Sequence, residues 1–544
     1  MADEAGVPSS AIQEALTAVE RAVESGRGLV AENPDAFLPG LATALNNQSA
    51  MLSKLGRSED ALKAVDEAIE IRRKLAATRP DAFRPDLASS LNNQSLMLGD
   101  LGRREDALSA TGEAVEIYRE LAAARPQVFL PDFATALNNQ SLMLSGLGRR
   151  QDALTAIAEA VEIRRGLAAT HPDAFLPNLA TSLSHQSGCL IALGRREDAL
   201  TAIEEAVEIR RGLATTRPDA ILPSLATSLS SQSGTLSGLG RRQDALTAIE
   251  EAVEIWRGLA ATRPDAFLPD LATALSNQSG CLSGLGRRDD ALAAIEEAVE
   301  IRRGLAAARP QVFLPDLATA LNNQSGCLTD LKRRDDALAA IEEAVEIRRA
   351  LAAAHPQLFL PGLATALSNQ SLMLGALARL EDALAAIEEA VLLYRGLAAT
   401  RPEAFLPILA TALNNQSSRL SEVWRAEDAL ASTEEAVEIY RGLAATRPEA
   451  FLPDLAVTLE HQSNRLDELG RREDALRAAD EALNLVLPAL ERGEDIPPHA
   501  GMKLVQAYLK RYQEAGGEPN PDLLERIRAV LVSAGLVLDD DTVQ

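Results

Sequence analysis

An unbroken period of 46 residues limits what this chain can fold into more than any other feature. Pro39, Pro85, Pro131, Pro177, Pro223, Pro269, Pro315, Pro361, Pro407 and Pro453 are each 46 positions apart. Gln48, Gln94, Gln140, Gln186, Gln232, Gln278, Gln324, Gln370, Gln416 and Gln462 keep the same spacing without insertion or deletion. Ten units of this kind fill most of the 544 residues. Strict repetition replaces the usual expectation of several globular domains, because each unit touches mainly its neighbours and length becomes extent.

The unit at residues 131–176 reads as two antiparallel helices. Pro131 and Asp132 are expected to open the first, since proline loses nothing at the first helical position and a first-turn acid suits the dipole. Leu137, Ser141, Leu144 and Leu147 recur at helical spacing and form one buried stripe. Gly148 closes that helix. The second helix is expected from Gln151 or Asp152, with Ala153, Leu154, Ile157, Ala160, Val161, Ile163 and Leu167 on its inner face and Pro172 as its stop. Such a pair cannot bury both apolar faces alone, so neighbours must stack to complete the core. Residues 1–38 read as a leading half-repeat and cap, 39–490 as ten repeats, and 491–544 as a closing segment. The stretch ERGEDIPPH breaks the period. Two helices then follow, near 501–515 and 521–534, with Leu504, Tyr508, Leu524, Ile527 and Leu531 at helical spacing, ahead of an acidic tail, DDDTVQ.

Aromatic residues make up only 3% of the chain, so the core must rest on close packing of Ala and Leu. A formal charge of −25 argues against a nucleic-acid partner and suits a basic one. Cys189, Cys281 and Cys327 occupy the place held elsewhere by Met51, Met97, Met143 and Met373, which makes them apolar filler in a reducing compartment. No apolar run approaches the roughly 20 residues needed to cross a bilayer, and MADEAGVPSS lacks a signal-peptide pattern. A soluble cytoplasmic protein is expected, with no membrane partner. His171, His185, His355, His461 and His499 fall in no metal-binding spacing, and no phosphate loop or dinucleotide fingerprint is present. The Ser-Gly pairs at Ser187, Ser233, Ser279 and Ser325 recur by repetition and lack a partnered base. No catalysis, metal or cofactor is expected.

Leu45, Gln48-Ser49, Leu52, Ala61, Val65 and Ala68 stand in the order and spacing of the tetratricopeptide repeat, and the unit resembles that family. It departs in being 46 residues long rather than 34 and in placing Gln before the small residue. The added length is assigned to an extended second helix and an RPDAFLPD connector. The long form, with LNN in the first helix and EIRRGLA closing the second, is similar to kinesin light chain repeats and to long actinobacterial arrays. The resemblance covers roughly residues 11–490 and implies an all-α fold, a right-handed α-solenoid whose first helices line a concave, ligand-holding face.

Off the buried stripe, the first helices carry short polar residues: Asn138-Asn139, Ser184-His185, Ser230-Ser231, Ser276-Asn277 and Asn322-Asn323. Asn both donates and accepts, so a series of them can hold the backbone of an extended peptide. Gly188, Gly234, Gly280 and Gly326 follow the Gln-Ser pair in four successive units, where each costs roughly 1 kcal/mol relative to Ala in a helix. These fourteen residues form the candidate groove. The glutamines are expected to form a register-fixing ladder between repeats. Arginine pairs such as Arg149-Arg150 are expected to be compensated by the dipole and neighbouring acids, and Glu-Glu pairs such as Glu204-Glu205 to be solvated. The leading expectation is a non-catalytic scaffold for a protein or peptide. Two alternatives stay open: a sensor or regulatory subunit of a bacterial signalling or defence system acting with a separate effector, and a protein that assembles with itself, as a dimer through the solenoid ends or as a filament.

Overall fold

The computed structural model describes residues 9–491 and the helical residues 505, 506, 508, 509, 511, 512, 525–527 and 529. All of the described secondary structure is helical or turn, in 21 helices from Ser9–Glu32 to Arg472–Glu491. The fold is all-α, a solenoid of helix pairs. The chain divides into two compact units, Met1–Arg287 and Arg288–Gln544. Within each, every helix packs on the one before and the one after it, and successive first helices also touch.

The first helix starts earlier than the repeat pattern suggests. It runs from Pro126 to Gly146, with Pro126 at its opening and Pro131 inside it. Likewise Pro172 opens the helix Pro172–Ala192 and does not merely end its predecessor, which spans Arg150–Thr170. The RPDAFLPD segment is therefore the first turns of the first helix, and no separate connector exists. Both prolines are tolerated because the first N–H groups of a helix have no partner to lose and Pro131 lies just beyond them, deleting a single rung. The residue before the opening proline stacks on the phenylalanine one turn ahead. Arg79 lies 4.8 Å from the Phe83 ring centroid, and His171 meets Phe175 edge-on at 6.4 Å.

The turn between the two helices is built by glycine. Gly148 has φ +75° and its amide donates to the Ser145 carbonyl, while the Arg149 amide donates to Leu144 at 2.9 Å, a six-to-one closure of the helix end. Gly56, Gly102, Gly194, Gly240, Gly286 and Gly470 repeat it, whereas Lys332, Ala378 and Trp424 hold the same left-handed conformation with a side chain.

Packing follows the stripe read from sequence: Leu137, Ser141 and Leu144 are buried, as are Ala153, Leu154, Ile157, Ala160 and Val161. In several repeats the serine after the glutamine ties the two helices together, donating to the second-helix backbone: Ser141 to the Ala153 carbonyl and Ser187 to that of Ala199, both at 2.8 Å. Second helices are joined from repeat to repeat by ion pairs, Arg165 with Glu205 at 2.7 Å and Arg211 with Glu251 at 2.5 Å. The second glutamate of each Glu-Glu pair is thus a staple and not simply a solvated acid.

Of the closing segment, Val505, Tyr508 and Ile527 are buried, and Arg511 pairs with Asp467 at 2.6 Å. Arg511 stands 46 residues beyond Arg465, so the repeat register resumes there. Leu504, Leu524, Leu531 and the acidic tail lie outside the described residues.

Candidate functional site

The middle of each first helix carries no charge in the first unit. Residues 41–53, 87–99, 133–145, 179–191, 225–237 and 271–283 contain no Asp, Glu, Lys or Arg. Most of the chain's acids lie on the second helices, where the arginine staples take up some of them, and others, such as Asp132 and Asp173, stand near the ends of the first helices.

Beneath this neutral face sits a series that the sequence pattern did not single out. Arg72, Tyr118, Arg164, Arg210 and Trp256 recur every 46 residues on the second helices and are buried. Arg164 donates to the Asn178 carbonyl at 3.0 Å, to Ser182 at 2.5 Å and to Thr135 of the preceding first helix at 3.2 Å. In the second unit Tyr394 meets Thr365 and Tyr440 meets Thr411, each at 3.0 Å, so the hydroxyl that Arg164 reaches is met there by tyrosine. Burial holds the Arg164 and Arg210 guanidiniums at a pKa of about 10. A polar residue interrupting an apolar second-helix stripe was the available signal.

The predicted site residues divide three ways. Gly188, Ser231, Gly234, Asn277, Gly280, Asn323 and Gly326 are exposed, and Ser184, His185, Ser230, Ser276 and Asn322 are half-buried. Asn138 and Asn139 are not presented at all, being 6% and 9% exposed. Each is consumed by a neighbouring first helix. The Asn139 amide donates to Asn92 Oδ1 at 3.0 Å, and Asn138 Oδ1 meets His185 Nδ1 at 3.1 Å and Ser182 Oγ at 3.3 Å. Asn93 on Asn46 and Asn369 on Asn322 repeat the arrangement. The ladder between repeats expected of glutamine is thus made by asparagine, which lies over the neighbouring first helix. Glutamine turns toward the second helices: Gln94 donates to Asp66 at 2.7 Å, and Gln416 accepts from Ser432 at 3.3 Å. His185 is held below the ordinary imidazole pKa by burial and by the nearby charges of Arg164 and Arg210.

The structure brings Ser184, Gly188, Ser231 and Gly234 together in one cleft of about 280 Å³ between adjacent first helices, closed by Ile191, Thr235, Gly238 and Arg196. Nothing lies within 4 Å of the position a Cβ would take at Gly188, Gly234, Gly280 or Gly326. Internal packing therefore does not require these glycines, and the helix backbone there is bare toward open space. Asn322, Asn323 and Gly326 belong to the second unit.

The arginine pairs split into two chemistries. The first member is neutralised three residues on, as Arg149 is by Asp152 at 2.8 Å and Arg195 by Asp198 at 2.7 Å. The second member is the first residue of the second helix, Arg150 or Arg196, and is exposed. Among the described residues no group of three or more His, Cys, Asp or Glu is placed to hold a metal ion, and no helix is long and apolar enough to cross a membrane. Cys189 and Cys327 are buried and Cys281 is half-buried.

Residues 41–77, 87–123 and 133–173 match the family described as Tetratricopeptide repeat. Residues 177–217, 223–263, 269–306 and 315–354 match the family described as Anaphase-promoting complex subunit 5. No curated protein matches the chain. Among solved structures the chain is similar to BtubC from P. vanneervenii, at 20% identity over 46% of this chain and 92% of that one, with a TM-score of 0.38. A putative kinesin light chain of Podosopora anserina with nearly identical TPR-like repeats matches at 17% identity over 40% and 95%, with a TM-score of 0.33. A signal transduction ATPase with a tetratricopeptide repeat sensor from Pyrococcus horikoshii matches at 13% identity over 72% and 54%, with a TM-score of 0.44.

Proposed function

Because the chain is a tetratricopeptide repeat protein, we propose that it is a non-catalytic scaffold that holds a polypeptide against the uncharged face of its first helices. The observation that carries this reading is the cleft at Gly188 and Gly234, where a helix backbone is left bare although internal packing does not demand it. Glycine in mid-helix costs roughly 1 kcal/mol relative to Ala, so two neighbouring ones facing open space are accounted for by a ligand that comes close. Ser184 and Ser231 border the same cleft and supply short hydroxyl groups. The basic partner suggested by the net charge would meet the second helices, where the acids are, and not this neutral cleft.

The test compares the wild-type chain with a Gly188→Leu/Gly234→Leu variant as baits in a native lysate, with captured proteins identified by mass spectrometry. Since nothing stands where the new Cβ atoms go, the far-ultraviolet spectrum should keep its helical form. A partner captured by the wild type should be lost from the variant. Undiminished capture by a fully helical variant overturns the assignment of the cleft.

A further inference from the structure

Trp424 is the most exposed large apolar residue described, 93% open to solvent, in the turn between the helices Pro402–Glu422 and Ala426–Thr446. Its φ of 64° is the left-handed conformation that Gly148 and its equivalents supply elsewhere. Lys332 and Ala378 adopt it too, so the turn accepts a side chain without calling for an indole. The other tryptophan, Trp256, is 5% exposed and packs on Phe267 at 5.8 Å between ring centroids. The fold thus uses one indole as core and leaves the other, on a turn that glycine suits better, wholly outside it.

The charge of this edge changes at the same place. Residues 146–152 hold two arginines and one acid, as do 238–244. Residues 376–382 hold one arginine and two acids, and 422–428 one arginine and three acids, because Leu380 and Ala426 replace the second arginine of the turn. Arg425 is already engaged, by Asp428 at 2.7 Å and by Glu388 of the preceding second helix at 3.5 Å. Arg379 pairs with Asp382 at 2.7 Å and Arg419 with Glu422 at 2.9 Å. Glu381 and Glu427 are exposed and have no such partner among the described residues. The indole therefore stands on an edge of negative potential.

We propose that Trp424 is the anchor of a docking site for a basic polypeptide segment, one of whose arginine or lysine side chains lies over the indole while neighbouring cations meet Glu381 and Glu427. Tryptophan is the aromatic residue with the strongest pull on a cation, and carboxylates beside the ring add to it. The chain makes the same kind of contact internally, with the Arg401 guanidinium 4.8 Å from the Phe405 ring centroid. A second copy docked edge to edge would bring like charges together, and a nucleic acid would meet acids with its phosphates. The site lies in the second unit and the cleft at Gly188 and Gly234 in the first, so neither reading rests on the other.

The test uses the full chain and two peptides of equal length, with Arg or Glu at every third position and Gly and Ser between. Trp256→Tyr leaves Trp424 as the one indole; tyrosine already fills the equivalent place at Tyr118, Tyr394 and Tyr440. In that background the Arg peptide should change the Trp424 emission and lose affinity as salt is raised, and the Glu peptide should do neither. With fluorescein-labelled peptide and anisotropy, Trp424→Gly in the otherwise native chain should weaken the Arg peptide by about fivefold or more. Glycine is the residue of the equivalent turns, so circular dichroism should show unchanged helicity in this variant. Glu381→Gln/Glu427→Gln should weaken binding by about threefold and flatten its salt dependence. Arg-peptide binding that Trp424→Gly leaves intact, or that leaves the Trp424 emission unmoved, is general attraction to an acidic chain and overturns the site. An emission shift that grows with protein concentration without peptide assigns the indole to a second copy. A shift with phosphatidylcholine vesicles and not with the Arg peptide assigns it to a membrane surface, and either result overturns the basic partner.

Discussion

Replacing Lys332, Ala378 and Trp424 by glycine should stabilise the second unit. These residues have φ of 61°, 58° and 64°, in the left-handed region that glycine holds at the same turn elsewhere. For a residue with a Cβ that conformation costs about 1–2 kcal/mol. Glycine relieves this but loses about 0.5–1 kcal/mol through the extra freedom of the unfolded chain. The net gain is about 0.5–1 kcal/mol per turn. No packing is forfeited in exchange: Trp424 is 93% exposed, and open space surrounds the Cβ position at Gly148, Gly194 and Gly240 in equivalent turns. Sites one repeat apart share no partners, so three substitutions should add to about 1.5–3 kcal/mol. Urea unfolding followed by circular dichroism would report the sum, and native-state hydrogen exchange at the three helix ends would localise it where the array does not unfold as one unit. Gly470→Ala, made at a turn with φ +72°, should show the opposite sign. A triple variant no more stable than the wild type, or a Gly470→Ala variant without loss, would refute the attribution of strain to these turns.

Substitutions at two other positions test the polar layer beneath the first helices. His185 has a lowered pKa, caused first by burial and then by Arg164 and Arg210, so the native state favours neutral imidazole. The unfolded chain takes up the proton first, near pH 6.5, and stability contributed by this site should be full above that pH and fall as the pH drops below it. His185→Asn, which can donate to Asn138 as Asn139 does to Asn92, should preserve stability near pH 7 and shrink the fall toward about pH 5 in urea midpoints; an unchanged slope removes His185 from the acid response. Arg164 is buried without a carboxylate partner. Arg164→Tyr, which imitates Tyr394 and Tyr440, should therefore be neutral or stabilising by about 1–2 kcal/mol in thermal unfolding, whereas Arg164→Ala should cost about 2–3 kcal/mol through the void and the lost donors. A Tyr variant as damaged as the Ala variant would show that the charge itself is required.

The repeat unit was legible in the chain because its period is carried by residues with narrow physical roles. Gly148 must take a positive φ, and Leu137, Ser141 and Leu144 share one face by helical geometry alone. Ser141 could be recognised as part of the buried stripe, and the structure added its bond to the Ala153 carbonyl. The phase of the first helix was less legible, because Pro126 and Pro131 both satisfy the rules for a helix opening and local sequence does not choose between them. The ion pair of Arg149 with Asp152 was readable from its spacing of three, and so was the absence of such an acid for Arg150.

The sequence by itself determined the 46-residue period, the helical pairing within it and the turn glycines. Tertiary structure decided which side chains the candidate site presents. The first helix Pro126–Gly146 lies between two others, and these cover Asn138 and Asn139, while Gly188 and Gly234 are left bare. The same stacking turned the glutamines toward the second helices, gave the ladder to asparagine, and buried Arg164 under a face with no charge of its own. Periodicity assigns a residue to one side of its own helix. Exposure depends on how far the next repeat reaches over that side, and that distance is set by packing between units 46 residues apart.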